Sequence, residues 1–354
     1  MKRIKIIENL KQLVKTPTPS GFEESGVEAF KKCLKRPYPE YSDNIGNFGI
    51  YLGKSGSSKK KILVSAHIDE LGFQVIDINK EGLAKVITLG GIDKKTISGN
   101  VILFKTENGN YVKGIVAKKP IHAENQKERN DMPEIHELNI DFGVSSKERL
   151  EALGIGIGSV GFYNRDLNPT TIMLGDNICA PGLDDKAGVA ILALLAELID
   201  EEALEKNDYE VCLAICTQEE MGLRGAMVLA NNLKPDISID IDVTPTSDFG
   251  VNSAKWGNIK LGEGPVIDLG PGSRRKIGDE FIKLAKEEKI EIQPSVFKPG
   301  GTNTAAFQLF GGDCATQLIS IPIRNLHTPT ECCNPDDIVD TAKLIAGIIN
   351  EGRL

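Results

Sequence analysis

Hydrophobic positions follow two different patterns in the first half of the chain. Two stretches with helical spacing, 3–16 and 20–34, are followed by two apolar runs typical of strands, 49–52 and 62–66. The stretch 71–171 instead contains short alternating or β-branched runs separated by Gly, Asn and Lys turns, without helical periodicity. This second pattern predicts a small all-β module.

After residue 171, helical stretches alternate with fully apolar strands, an order typical of a largely parallel β-sheet covered by helices on both faces. The run 62–66 has the same apolar character as these strands, so the β module is predicted to be an insertion. We therefore predict an α/β fold with a mostly parallel sheet between helices, in which residues 1–70 and 172–354 form one discontinuous domain and residues 71–171 form an inserted β-rich domain. The helices are predicted at about 185–203, 222–232, 273–288 and 335–351, and the strands at 211–216, 237–241 and 317–321.

The charge balance and the lack of long apolar runs exclude two classes of partner. The chain has 354 residues with 42 Lys and Arg against 50 Asp and Glu, a net charge of -8, which repels the phosphate backbone of nucleic acids. No run approaches the ~20 apolar residues that span a bilayer, and the charged first residues lack the apolar core of a signal peptide. The seven cysteines form no C-x-x-C, which is typical of reduced thiols. We expect a cytoplasmic protein that binds neither nucleic acid nor membranes. The adjacent Cys332 and Cys333 are expected to serve in packing.

An acidic turn at 182–188 stands directly before a long apolar run, 189–198. Its two adjacent carboxylates, Asp184 and Asp185, are costly at the start of a buried helix, since a helix amino terminus supplies only about half a unit of positive charge. A bound divalent cation would balance them. The alternative is that Asp184 caps the helix and Asp185 is a solvated residue of its first turn, so this turn alone leaves both interpretations open.

Further candidate ligands follow four of the predicted strands. In open α/β sheets, ligands bind where the carboxyl ends of the strands meet, and several carboxylates collected there require protons or cations. Imidazole nitrogens together with carboxylate oxygens suit zinc, cobalt or manganese better than calcium or magnesium, and the number of carboxylates predicts two divalent ions. The candidates are His67 and Asp69 after the strand at 62–66, Asp184 in the acidic turn, Glu219 and Glu220 after 211–216, Asp242 after 237–241, and His327 after 317–321.

The order of these motifs resembles that of the M42 metallo-aminopeptidases, in particular the tetrahedral aminopeptidases of that family. The segments 261–265, 300–302 and 321–324 add to the match, which covers nearly the whole chain. The chain is also similar to glutamyl aminopeptidases and to proteins described as endoglucanase M. The resemblance implies a catalytic metallopeptidase domain at 1–70 and 172–354, an oligomerisation domain at 71–171, and a homo-oligomer, which for this family means a dodecamer.

The resemblance also implies a role for each candidate residue. Two divalent ions would be held by five residues, with Asp184 bridging both, His67 and Asp242 completing one site, and Glu220 and His327 completing the other. Asp69 would orient His67, as carboxylates near metal-bound histidines commonly do. Glu219 would be the general base that activates the water bridging the two ions. The implied reaction is hydrolysis of the N-terminal residue from short peptides.

Two positions depart from the family pattern. Asn303 stands where family members often have Asp, and Asn325 stands where they have Tyr. Neither position is an implied metal ligand. Both changes therefore bear more on the preferred N-terminal residue, which is left open, than on the reaction.

Three other functions compete with the aminopeptidase. A dinuclear deacylase acting on N-acyl amino acids could use the same ligands. A glycosidase is disfavoured, because it needs two carboxylates and aromatic platforms for sugar rings, and the chain has one Trp and 5% aromatic residues. An inactive scaffold is disfavoured because the full set of ligands and the base are present.

Overall fold

The protein contains one large β-sheet and one small closed barrel. The computed structural model describes residues 2–54, 56, 59–126, 134–165, 172–248, 250, 253, 257–297 and 301–354. Within this part of the chain, the sheet has 11 strands and the barrel has six. The loop 166–171, where the inserted domain is predicted to end, and Gly300 lie outside the described residues.

Within the described residues, the bounds of the elements are as follows. In chain order the strands are β1 (Glu40–Ser42), β2 (Phe48–Leu52), β3 (Lys60–His67), β4 (Gly72–Ile78), β5 (Ala84–Leu89), β6 (Val101–Lys105), β7 (Tyr111–Ala117), β8 (Asn139–Asp141), β9 (Val160–Tyr163), β10 (Ile172–Leu174), β11 (Asn177–Ala180), β12 (Tyr209–Cys216), β13 (Ile237–Pro245), β14 (Val266–Asp268), β15 (Gln293–Ser295), β16 (Ala315–Arg324) and β17 (Glu331–Cys333). The α-helices are α1 (Lys2–Val14), α2 (Glu24–Cys33), α3 (Lys147–Ala152), α4 (Leu183–Leu198), α5 (Glu201–Lys206), α6 (Arg224–Leu233), α7 (Arg275–Glu288), α8 (Asn303–Phe310) and α9 (Pro335–Asn350).

Four parallel strands form the centre of the large sheet, in the order β12, β3, β13 and β16. Their residues are almost continuously buried, because helices cover both faces of the sheet. The flanking strands pair antiparallel, with β2 and β1 on one side and β17, β11 and β10 on the other. The predicted parallel arrangement therefore describes the centre of the sheet and not its edges.

Helix α4 is buried on nearly all sides. It packs against β3 and β13 and against α1 and α9, which explains why the apolar residues of this helix are not confined to one stripe. The opposite face of the sheet is covered by α6 and α8, whose Ala226 and Phe307 form one buried cluster with Leu63 and Cys212. The two helical layers confirm the predicted α/β class.

The barrel closes through β4, β5, β8, β7, β6 and β9, all of which lie between Gly72 and Tyr163. Alternate side chains fill its interior, as Ile102 and Phe104 on β6 illustrate. One short helix, α3, lies between β8 and β9. The sequence pattern did not predict it, because its six residues contain fewer than two helical turns.

The helix expected at 185–203 and the strand that carries Asp242 differ in length from the prediction. The helix expected at 185–203 is two helices, α4 and α5, because the side chain of Asp200 caps the second by accepting a hydrogen bond from the backbone N–H of Glu202. Strand β13 continues to Pro245, so Asp242 lies inside the strand and not after it. Among the helices of the described ranges, none combines the length and the apolar character that crossing a bilayer requires.

Candidate metal centre

All the predicted site residues lie at the carboxyl end of the central parallel strands. These strands end side by side, because their registers place Cys216 opposite His67 and Asp242 opposite Ser320. The site is supplied by His67 at the end of β3, Asp69 after it, Glu219 and Glu220 after β12, Asp242 in β13, His327 after β16, and Asp184 at the start of α4.

Asp184 lies between two histidines. Its Oδ1 is 2.9 Å from Nε2 of His67, and its Oδ2 is 3.3 Å from Nε2 of His327. A second carboxylate stands beside each histidine: Oδ1 of Asp242 is 3.9 Å from Nε2 of His67, and Oε1 of Glu220 is 3.7 Å from Nε2 of His327. Each oxygen of Asp184 therefore faces a different group of polar atoms.

The site contains two groups of three residues that fit a metal ion, His67 with Asp184 and Asp242, and Asp184 with Glu220 and His327. Within each group the candidate ligand atoms all lie within 4.8 Å of one another. Imidazole nitrogen with carboxylate oxygen is the donor set of zinc and similar ions. Oε1 of Glu220 is buried and forms no hydrogen bond with any residue that the structure describes, an unsatisfied acceptor that a cation would satisfy.

The crowded carboxylates perturb one another when no cation is present. Burial, followed by the charge of Asp184, raises the pKa of Glu220 to about 8. Burial also raises the pKa values of Glu219 and Asp242 well above their usual range. Burial lowers the pKa of His327, but its hydrogen bond to Asp184 and the charge of Glu220 outweigh this effect and raise it to about 9. The site as a whole therefore holds extra protons that a bound cation would displace.

Asp69 supports both sides of the site. Its backbone carbonyl oxygen lies 3.0 Å from Nδ1 of His67, and its carboxylate Oδ1 lies 3.5 Å from the same nitrogen. The carboxylate also accepts hydrogen bonds from the backbone N–H groups of Glu219 and Glu220, at 2.9 and 3.1 Å, and from the hydroxyl of Ser20 at 2.6 Å. The nearer acceptor for Nδ1 of His67 is thus the carbonyl oxygen of Asp69, while the Asp69 carboxylate mainly holds the Glu219–Glu220 turn.

The acidic turn before α4 differs from the capping alternative considered above. The side chain of Asp184 faces the two histidines, so it does not cap the helix. Asp185 is fully buried, and its Oδ1 accepts a hydrogen bond from the backbone N–H of Gly188 at 3.0 Å, so it is not solvated either. The backbone N–H of Asp184 donates to the carboxylate of Glu331, a residue that the sequence analysis did not select.

The barrel also contributes to the site, which no local pattern in the sequence indicated. Nδ1 of His327 lies 2.7 Å from the backbone carbonyl oxygen of Gly91. This carbonyl places the ring proton on Nδ1 and leaves Nε2 free to face Asp184. At the neighbouring Gly90, where φ is +86°, a Cβ atom would lie 3.1 Å from the side chain of Glu220, so the barrel loop packs directly against this carboxylate.

A buried ion cluster lies next to the acidic turn, and the sequence analysis also missed it. The carboxylate of Glu70 pairs with the guanidinium of Arg165, which follows the last barrel strand, and with Nζ of Lys186 on α4 at 3.0 Å. Arg165 also donates to the backbone carbonyl of Pro181 at 3.0 Å. The cluster therefore ties both ends of the barrel insertion to the turn that carries Asp184.

A cavity of about 650 Å³ opens beside the two ligand groups, a size typical of small-molecule sites. Its polar wall includes Glu219, and its remaining wall is largely apolar. Asn303 and Asn325 do not line it, although their neighbours Thr302 and Leu326 do. The apolar lining residues are Val243, Pro245, Val296, Phe297, Ala305, Leu318 and Leu326.

Comparison with known proteins shows which family the chain belongs to. The family model described as M42 glutamyl aminopeptidase matches residues 46–344. A lysyl aminopeptidase of Pyrococcus furiosus is 30% identical over 352 residues, which cover 97% of this chain and 96% of the relative. A solved aminopeptidase from the archaeon Desulfurococcus kamchatkensis superposes with a TM-score of 0.89 at 31% identity, over 99% of this chain and 96% of that one. The TET1 peptidase of Pyrococcus horikoshii, described as assembling into a tetrahedron or a large octahedral shell, superposes with a TM-score of 0.84 at 29% identity, over 97% and 99% of the two chains. The chain therefore belongs to the M42 family of peptidases and is an aminopeptidase.

Proposed function

We propose that this aminopeptidase uses two divalent metal ions to hydrolyse the N-terminal residue from short peptides. The observation that carries the proposal is Asp184, whose two carboxylate oxygens face two different histidines. In the proposed site, Asp184 is shared by both ions, His67 and Asp242 complete one site, and Glu220 and His327 complete the other. Divalent ions held in this way polarise a scissile carbonyl and lower the pKa of water.

Glu219 is the proposed general base. Its side chain lines the cavity and is 9% exposed, so its carboxylate can reach a substrate while remaining largely shielded from solvent. The hydrogen bond from its backbone N–H to Asp69 holds it in place. It would take a proton from the attacking water and return it to the leaving amine, while Asp69 orients His67.

The metal and the preferred N-terminal residue are best determined together. Zinc, cobalt and manganese all suit the imidazole and carboxylate ligands. The names of the similar proteins point to different N-terminal residues, since the family model is described as a glutamyl aminopeptidase and the Pyrococcus furiosus relative as a lysyl aminopeptidase. We would reconstitute ion-free protein separately with each metal and assay each form with a panel of aminoacyl chromogenic substrates. Turnover that needs added metal, with about two ions bound per chain, is the expected result. Turnover unchanged by a chelator would contradict the proposal.

A deacylase that acts on N-acyl amino acids is the alternative that shares these ligands. A free-amine dipeptide and its N-acetylated form separate the two functions, because an aminopeptidase should reject the acetylated substrate. The glycosidase alternative is not favoured, since imidazole groups stand between the carboxylates of this site. An inactive scaffold would bind the metals and turn over none of the substrates.

We further propose a homo-oligomer, by family resemblance a dodecamer, in which the domain at 71–171 contacts other subunits and the domain formed by 1–70 and 172–354 carries the site. Exposed apolar side chains on the barrel, Ile87, Tyr111 and Ile115, support this role. Light scattering coupled to size-exclusion chromatography measures the subunit number.

The cytoplasm is the proposed location, which the seven free cysteines support.

A further inference from the structure

Glu331 connects the two chain segments that carry proposed ligands of the second ion. Its Oε1 accepts a hydrogen bond from the backbone N–H of His327 at 3.0 Å, and its Oε2 accepts one from the backbone N–H of Asp184 at 3.1 Å. The residue is 2% exposed, so water competes little for either hydrogen bond. One carboxylate therefore fixes two backbone positions that are far apart in the sequence.

The strand arrangement explains why Glu331 can reach both amides. It is the first residue of β17, where it lies opposite Ala180 at the end of β11, shortly before the turn that carries Asp184. The same strand β17 pairs with the end of β16, which leads into His327. Glu331 thus lies where the chain segments leading to the two ligands come together.

The surroundings of Glu331 are unfavourable for a carboxylate that serves only in packing. Asp184 is close to it, and the described hydrogen-bond donors to its side chain are two backbone amides. Burying another carboxylate next to an acidic site costs free energy, which hydrogen bonds offset only in part. A neutral residue of the same size would avoid that cost, but it could not accept a hydrogen bond from both amides.

We propose that Glu331 is a positioning residue of the metal centre, which sets the distance between Asp184 and His327 and thereby the affinity for the ion held by Asp184, Glu220 and His327. The inference rests on the proposed function. Glu331 does not line the substrate cavity, so it acts through the ligands and not on the substrate. Glu331 influences the other ion, held by His67, Asp184 and Asp242, only through Asp184. The affinity for that ion should therefore change less.

The test is a calorimetric titration of ion-free protein with zinc, comparing wild type with Glu331→Gln. The carboxamide has one acceptor oxygen, so one of the two amides loses its partner. We expect the affinity for one of the two ions to fall about 10–100-fold, the usual effect of removing a group that orients a metal ligand. At saturating zinc, kcat should return to within a few-fold of wild type, with the midpoint of zinc activation shifted by the same factor as the affinity.

Asp337→Asn is the matched control. Asp337 is a buried carboxylate that also accepts hydrogen bonds from two backbone amides, those of Gly262 and Gly264, both at 2.8 Å. It lies outside the two ligand groups and the cavity lining. This variant should lose stability in thermal denaturation but keep its zinc affinity within about twofold of wild type. That change is much smaller than the ~10–100-fold loss of affinity expected for Glu331→Gln.

The outcomes separate this inference from the proposed function. If wild type binds two zinc ions and Glu331→Gln binds both equally well, Glu331 does not position the site, and the proposed function stands. Equal losses of affinity in Glu331→Gln and Asp337→Asn would also overturn the inference, because they would reflect general destabilisation. If wild type itself binds no zinc, the proposed function fails.

A measurement on the wild type covers the case in which Glu331→Gln does not fold. Hydrogen exchange on the ion-free protein should find the backbone amides of Asp184 and His327 protected, because Glu331 accepts a hydrogen bond from each. Exchange of either amide at the rate of an open segment would overturn the inference.

Discussion

Removing the metal should make the stability of the protein depend strongly on pH. In the ion-free site, burial and the charge of Asp184 raise the pKa of Glu220 from 4.5 to about 8. Between these two values the folded chain keeps a proton that the unfolded chain has released, so the free energy of unfolding falls as pH rises. His327, whose pKa is raised from 6.5 to about 9, acts in the same direction, because its stabilising charge is lost as pH approaches 9.

The size of the effect follows from the shift at Glu220. The slope is about 1.4 kcal/mol per pH unit well below the folded pKa and falls to half of that at the folded pKa. Raising the pH from 6 to 8 should therefore cost about 2 kcal/mol from this group alone. An unfolding entropy of about 2.1 cal/mol/K per residue, taken over 354 residues, converts this loss into a decrease in melting temperature of about 3 °C. Zinc-loaded protein should show a smaller decrease, since bound metal keeps its ligands deprotonated and binds more tightly at higher pH.

The assay is differential scanning calorimetry at pH 6, 7 and 8, at one protein concentration, on chelator-treated and zinc-loaded protein. Other buried carboxylates also have raised pKa values, such as Asp240 and Glu23, both at about 7. As the pH rises, they lower the free energy of unfolding of the ion-free and the zinc-loaded protein alike. Glu220→Gln isolates the contribution of interest, because its carboxamide is neutral throughout the range. Between pH 6 and 8, the free energy of unfolding of the ion-free variant should fall by about 2 kcal/mol less than that of ion-free wild type. Identical pH profiles for the two ion-free proteins would refute the reasoning.

Three further predictions address the roles of individual residues. Glu219→Gln should keep both ions, measured by metal analysis, but lose at least ~100-fold in kcat because the general base is gone; normal turnover would mean that the base is wrongly identified. Asp184→Ala should bind neither ion tightly, since both ligand groups contain Asp184, and a variant that retains two ions would contradict a shared ligand. Arg165→Met should lower the free energy of unfolding, measured by urea denaturation, by about 3–5 kcal/mol, because the buried carboxylate of Glu70 loses one of its two cationic partners. A loss below about 1 kcal/mol would show that Lys186 alone compensates the charge of Glu70.

Much of the architecture, and the fact that the candidate site residues lie together, could be predicted from the sequence. Hydrophobic periodicity is a local property, and it correctly separated the alternating barrel strands from the continuously buried strands of the sheet. The carboxyl ends of parallel strands share one edge by geometry, which is why His67, Asp242 and Glu220 could be grouped before any coordinates were known. The family followed from the order of these short motifs along the chain.

The tertiary structure alone decided how those residues meet. The two oxygens of Asp184 face different histidines because of the backbone conformation of the acidic turn. Contacts with Glu331 and with the ion cluster around Glu70 stabilise this conformation. The carbonyl that orients His327 belongs to Gly91, 236 residues away in the barrel. A backbone carbonyl carries no side-chain signal in a sequence, and a hydrogen bond between distant segments exists only once strand register and packing have brought them together.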